Sequence, residues 1–257
     1  GLLSPSVQLG REQVLHLAAE TDVDLCETDR EHAYRTNALA TENLAKACKE
    51  TGALMIYIST GGVFDGNNPE PYTEYDAPGP LSVYARTKMA GEDAVRSLLE
   101  SYFIVRAGWM IGGGLRDKKF VYKMLRFMGE RDRIQAVDDK RGTLTYAKQM
   151  LLQIVELLKT DAYGVYHAAN SGVVTRYDVV KELARIVGSP VKIEPVGSAV
   201  FPLPAPRARS EAMRNYRLEL MGINVMSDWK RALAEYLEEL ERVGVVRDGR
   251  IRPDVKP

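Results

Sequence analysis

Cysteine is nearly absent from this chain: Cys26 and Cys48 are the only two in 257 residues, and neither stands in a C-x-x-C or Cys/His grouping. That argues against a disulfide scaffold and a thiolate zinc site, and points to a reducing compartment. A dominant charge is missing too, because 35 Lys and Arg balance 35 Asp and Glu, so no net charge draws the chain toward nucleic acid. Long apolar runs are also lacking. The longest, over 53–58 and 150–158, fall well short of the roughly 18 residues that a bilayer crossing needs, and no secretory leader pattern opens the sequence. The expectation is a cytoplasmic protein without nucleic-acid or membrane partners. Histidine is scarce, and His16 and His167 fall inside apolar runs and read as core residues. The acidic run Asp22, Asp24, Glu27 and Asp29 reads as a solvated loop and helix entry rather than a metal site.

What is present is an alternation of short apolar runs with helical patterns. Residues 14–19, 54–59 and 102–107 read as strands buried on both faces, separated by amphipathic helices over 31–50 and 82–101. Gly52 supplies the C-terminal cap of the first helix. Strand, helix, strand, helix, strand predicts right-handed parallel crossovers, hence an α/β doubly wound sheet with function at the carboxyl ends of its strands. After Gly108 the pattern changes to helices near 118–131 and 146–159 with short strands such as 165–168. A further helix opens on Thr175 with Asp178 as a capping-box pair and closes on Gly188. Prolines 195, 202, 204 and 206 mark an irregular segment before a last helix over 228–242. The predicted organisation is a Rossmann-like domain over 1–108, a substrate-binding region over 109–245 that returns in part to the sheet, and a mobile tail over 246–257.

The chemistry gathers at Ser59-Thr60, where a predicted strand ends, and at Tyr84-x-x-x-Lys88, where a predicted helix begins 24 residues after Thr60. Spacing i, i+4 puts the phenol and the ammonium on one helix face. A phenol is a poor proton donor or acceptor at neutral pH unless a nearby cation stabilises its phenolate, and Lys88 is placed to do so. Thr60 would hold the substrate oxygen. These are the parts needed to move a proton while a cofactor moves a hydride. The chain carries a second copy, Tyr177-x-x-x-Lys181, with no Ser/Thr-ended strand at comparable distance before it. That pair reads as a packing tyrosine and a solvated lysine.

Several stretches resemble the extended short-chain dehydrogenase/reductases, and within them the dTDP-4-dehydrorhamnose reductase family: HLAAETDVDLCETDREHAYRTNALATENLA, STGGVFDGNNPEPYTEYDAPGPLSVYARTKMAGE, VRAGWMIG, FPLPAPRARSEAM and SDWKRALAEYL. The likeness runs over nearly the whole sequence. It implies a Rossmann domain binding NADP or NAD, a smaller domain closing over a nucleotide sugar, and reduction of the sugar's 4-keto group. Carried over to this chain, Tyr84 would donate the proton, Lys88 would tune Tyr84 and bind the nicotinamide ribose, and Thr60 would orient the carbonyl. Ala18, Ala19, Thr21 and Ser59 would line the cofactor, with Asn37 bracing the site, and Trp109 would lie against the sugar. The partner implied is a nucleotide-sugar substrate, with a homodimer as the assembly to test. The same resemblance leaves room for an epimerase or dehydratase, or for a non-catalytic regulatory subunit.

Two features depart from the family pattern. Where the family has Ser-Thr-Asp-Tyr-Val-Phe-Asp-Gly, this chain has glycines at 61 and 62, so Gly61 and Gly62 are expected to leave extra room beside the substrate. No G-x-x-G-x-x-G turn occurs, and the few residues between Ser4 and His16 cannot hold a helix, a strand and another helix. The expectation is therefore that an N-terminal segment is missing from the sequence, with a truncated, inactive relative as the alternative.

Overall fold

The structure is a computed structural model that describes residues 12–114, 120–247 and 250–251. The N-terminal residues 1–11, where the glycine-rich turn was sought, lie outside the described residues. The chain begins with β1 (Gln13–His16), then α1 (Val23–Thr28), α2 (Arg30–Tyr34) and α3 (Ala40–Thr51), followed by β2 (Leu54–Thr60), α4 (Val83–Leu98) and β3 (Tyr102–Ala107). It continues through β4 (Trp109–Ile111), α5 (Phe120–Glu130), β5 (Arg133–Val137), β6 (Arg141–Gly142), β7 (Leu144–Tyr146), α6 (Ala147–Leu157) and β8 (Gly164–Ala168). The last elements are β9 (Val174–Thr175), α7 (Arg176–Val187), β10 (Lys192–Val196), α8 (Tyr216–Leu220), α9 (Trp229–Arg242), β11 (Val246–Arg247) and β12 (Arg250–Ile251).

A four-stranded sheet in the order β1-β2-β3-β8 forms the base, and every pairing in it is parallel. It is doubly wound because β2 alternates its side chains between two cores. Leu54 and Ile56 face Met150 and Ile154 of α6, while Met55 and Tyr57 face Ala45 of α3 and Val95 of α4. Thr60, Ala107 and Ala168 stand in register at the carboxyl ends of β2, β3 and β8. The strand β8, from the later half of the chain, joins this sheet beside β3. The chain beyond β3 builds a second core on Tyr122, Leu125, Leu183, Tyr236 and Leu240.

Local signals set most boundaries. Gly52 and Gly188 adopt left-handed φ of 72° and 64° at the ends of α3 and α7, and Thr175 with Asp178 forms the reciprocal capping box. Three boundaries differ from expectation. The strand β1 stops at His16, and Leu17 leaves the sheet with 59% of its surface exposed. The helix expected over 31–50 is interrupted by a π turn, Arg35–Leu39, which contains the buried Asn37. The stretch expected as a tail from 246 instead begins with β11, which pairs antiparallel with β12, and Val246 is buried in the second core.

Candidate functional site

The strand β2 delivers Thr60 to the rim of the sheet, where a 3-10 turn, Gly61–Val63, starts at once and Gly62 N–H donates to Thr60 Oγ1 at 3.1 Å. Ser82 opens α4 by accepting from Ala85 N–H, which sets Tyr84 and Lys88 one turn apart on the helix face that meets Thr60. Tyr84 is half-buried, and burial pushes its phenol up to about 12, with Glu211 and Cys26 acting in the same direction and the Thr60 hydroxyl opposing them. Lys88, expected to lower this phenol, is not among the groups that do so. The phenol therefore stays protonated across the neutral range, the form that a proton donor to a carbonyl oxygen needs.

Lys88 is 3% exposed, and its Nζ lies 4.2 Å from the centre of the Tyr57 ring. Burial pushes the ammonium down to about 7, and Glu92 one turn further on acts against that shift. Glu92 is fully buried and is the hub of a network beneath the site. Its Oε1 accepts from Ser59 Oγ at 2.6 Å and Arg106 Nε at 2.9 Å, and its Oε2 from Arg106 Nη2 at 2.8 Å and Arg96 Nη2 at 2.6 Å. Ser59, expected beside the cofactor, thus has its hydroxyl committed to Glu92. Sequence reasoning missed Glu92 and Arg106, although Glu92 continues the Tyr84–Lys88 face by one more turn.

On the cofactor side, Ala18, Ala19 and Thr21 follow β1 at the carboxyl end of the sheet, and Thr21 lines the cleft. Asn37 is buried. Its Oδ1 accepts from Glu20 N–H at 2.8 Å, and its Nδ2 donates to Glu20 O at 3.1 Å and Thr87 Oγ1 at 3.0 Å, tying this loop to α4. Lys88 Nζ makes no hydrogen bond among the described residues, so its donors are free for the hydroxyls of a ribose. This donor set fits a nicotinamide nucleotide.

A cleft of about 490 Å³ opens in front of Thr60 and Tyr84. Trp109 forms part of its wall. Arg176 lies over the indole at 3.9 Å from the ring centre, and Trp109 Nε1–H donates to Glu211 Oε2 at 3.0 Å. Lys140, Arg141, Arg176 and Arg207 add positive charge to the cleft lining. Arg176 is lowered to about 10, by burial first, then by Arg207, with Glu211 opposing. The proline-rich segment reaches the cleft through Phe201, Leu203 and Pro206.

Some expected roles change. Gly62 lines the cleft but Gly61 does not. Gly61 is buried, and a Cβ there would meet Met213 at 3.0 Å and Glu211 O at 3.2 Å, so the room expected at Gly61 is already filled. Of the acidic run, Asp22 and Asp29 cap α1 and α2, while Asp24 pairs with Arg207 at 3.0 Å instead of facing solvent alone. His16 donates to or accepts from Thr41 Oγ1 at 2.9 Å inside the core, and His167 is fully buried. Tyr177 packs against the second core and Lys181 is exposed, and neither is in the cleft lining.

Residues 7–242 match the RmlD substrate binding domain family. The chain belongs to that family. The dTDP-4-dehydrorhamnose reductase of Mycobacterium tuberculosis is 38% identical over 230 residues, which span 87% of this chain and 75% of that protein. The crystal structure of a dTDP-4-dehydrorhamnose reductase from Clostridium acetobutylicum superposes with a TM-score of 0.86 at 36% identity, covering 90% of this chain and 81% of that one. The Bacillus anthracis reductase, solved in complex with NADP, gives a TM-score of 0.85 at 35% identity over 89% and 80% of the two chains. Glu211 and Arg176 are among the cleft residues that sequence reasoning did not single out, as are Lys140, Arg141 and Arg207. Glu211 lies in the stretch FPLPAPRARSEAM, already quoted for its resemblance, so a signal for it was present.

Proposed function

We propose that this chain carries out NAD(P)H-dependent reduction of the 4-keto group of a nucleotide-linked deoxysugar. The observation that carries the reading is Thr60 and Tyr84 at the mouth of one cleft, with Lys88 buried behind them, in a chain of the RmlD family. When bound, the nicotinamide cofactor supplies the hydride. Thr60 hydrogen-bonds the carbonyl oxygen, and Tyr84 gives that oxygen its proton. Lys88, whose Nζ makes no hydrogen bond among the described residues, binds the ribose hydroxyls. Trp109 packs against the sugar ring, and Arg176, Arg141, Lys140 and Arg207 offer positive charge to the diphosphate. Net consumption of cofactor is the measurement that separates a reductase from an epimerase or dehydratase, which returns the hydride to its substrate.

The test is NADPH oxidation with dTDP-4-dehydrorhamnose. Tyr84→Phe lowers kcat by on the order of a hundredfold or more with little change in Tm. Tyr177→Phe is the matched control and leaves turnover near the wild-type value. Equal damage from both variants refutes the assignment of the proton donor, and absence of net NADPH oxidation by the wild type refutes the reading itself.

A further inference from the structure

The cleft contains a carboxylate with one oxygen held and one free. Glu211 has a fixed backbone, since its N–H donates to Arg141 O at 2.9 Å and the next residue's carbonyl accepts from Tyr72 N–H at 2.8 Å. Its Oε2 accepts from Trp109 Nε1, and that indole is itself clamped. Arg176 covers the ring at 3.9 Å, and a Cβ added at Gly142 would lie 2.5 Å from it, so the Gly142 backbone packs directly against the ring. The other oxygen, Oε1, accepts no hydrogen bond among the described residues, and Glu211 lines the cleft.

The two glycines explain why this carboxylate can stand beside the reacting centre. A Cβ at Gly62 would lie 3.4 Å from Thr60 Oγ1 and 3.8 Å from Glu211 Oε1, so the hydroxyl and the carboxylate flank one spot that any side chain at 62 would enter. At Gly61 the corresponding space already holds Met213 and the Glu211 carbonyl. The room at Gly61 is thus taken up by the segment carrying Glu211, while Gly62 stays open to the cleft. The carboxylate is also close enough to act electrostatically on both Tyr84 and Arg176.

A carboxylate is an acceptor only, so its free oxygen calls for a donor on the ligand. The carbonyl oxygen held by Thr60 and Tyr84 cannot supply one, whereas a hydroxyl on the neighbouring carbon can. We propose that Glu211 is a specificity-determining residue, whose Oε1 accepts a hydrogen bond from the hydroxyl on the carbon next to the reacting carbonyl and thereby selects 4-keto sugars that carry it. This rests on the reductase reading and adds the substrate class to it. A ligand without that hydroxyl leaves an ionised oxygen unpaired as the cleft fills, which is the kind of mismatch that discriminates strongly.

The experiment compares kcat/KM, with NADPH, for a nucleotide-linked 4-keto deoxysugar and its 3-deoxy analogue, using wild type, Glu211→Gln and Glu211→Ala. Wild type prefers the hydroxylated substrate by about 10–100-fold, the range expected for a hydrogen bond to a charged group. Glu211→Ala abolishes the preference by losing far more activity on the hydroxylated sugar than on its 3-deoxy analogue. Glu211→Gln can still accept from Trp109, so it keeps the ring in place and shows an intermediate preference even if the alanine variant does not fold. Equal losses on both sugars would mean that Glu211 only holds Trp109, and overturn the proposal, as would a wild type indifferent to the hydroxyl. Failure of the wild type to oxidise NADPH with either sugar is a separate result and refutes the reductase reading instead.

Discussion

Glu92 and Arg106 form an ion pair with almost no access to water, so breaking it from one side should be costly. In Glu92→Leu the guanidinium of Arg106, 2% exposed and with Nη1 already without a hydrogen-bond partner, loses both of its bonds to the carboxylate. The Phe64 ring, with its centre 5.2 Å from Cζ, remains beside it but supplies no carboxylate. Ser59 Oγ loses its acceptor at the same time. Arg96 is 30% exposed and can turn to solvent, so it adds little. Removal of one partner of a buried pair costs about 3–5 kcal/mol. For a protein of this size that corresponds to a fall in Tm on the order of 10 °C. Circular dichroism melts of Glu92→Leu, Arg106→Met and the double variant measure it. The double variant should be less destabilised than the sum of the two singles, because neither charge is then left buried alone. A single-variant loss below about 1 kcal/mol, or strict additivity, would show that the network is not the electrostatic unit described.

Gly142→Ala places a Cβ 2.5 Å from the Trp109 ring, so the indole must move and KM for the nucleotide sugar should rise several-fold or more, as measured by steady-state kinetics; an unchanged KM would remove Trp109 from the sugar contacts. His167 titrates near 3 in the fold against an ordinary 6.5, chiefly through burial, so the unfolded chain binds the extra proton between those values and stability is lost as pH falls through that window. His167→Gln should flatten the slope of stability against pH by up to one proton there, measured by urea unfolding at several pH values. Lys88 is depressed to about 7 from 10.5, so the unfolded state again holds the extra proton and stability rises with pH between those values. Lys88→Met should remove that rise, and a slope unchanged from wild type would contradict the burial argument.

The sequence alone determined the local features of this protein. The runs LMIYIS and YFIVRA are mainly apolar on both faces and became the two central strands, because a parallel sheet covered on both sides buries both faces of its strands; the polar members, Ser59 and Arg106, are buried against Glu92. Thr175 with Asp178 and the glycines at 52 and 188 fixed helix ends, since those bonds and positive φ values are made within a few residues. Tyr84 and Lys88 were legible for the same reason, one helical turn apart behind a strand that ends in Thr60. Tertiary structure decided what depends on residues far apart in the chain. Glu211 reaches Trp109 across 102 positions, and Arg176 lies over that ring from the second region. Met213 filled the space that the sequence pattern had left open at Gly61. The sign of the shift at Tyr84 also came from the fold. A cation at i+4 predicts a lowered phenol, but burial and the Glu211 carboxylate raise it, because desolvation and charge are summed over everything packed around a group, whatever its distance along the chain.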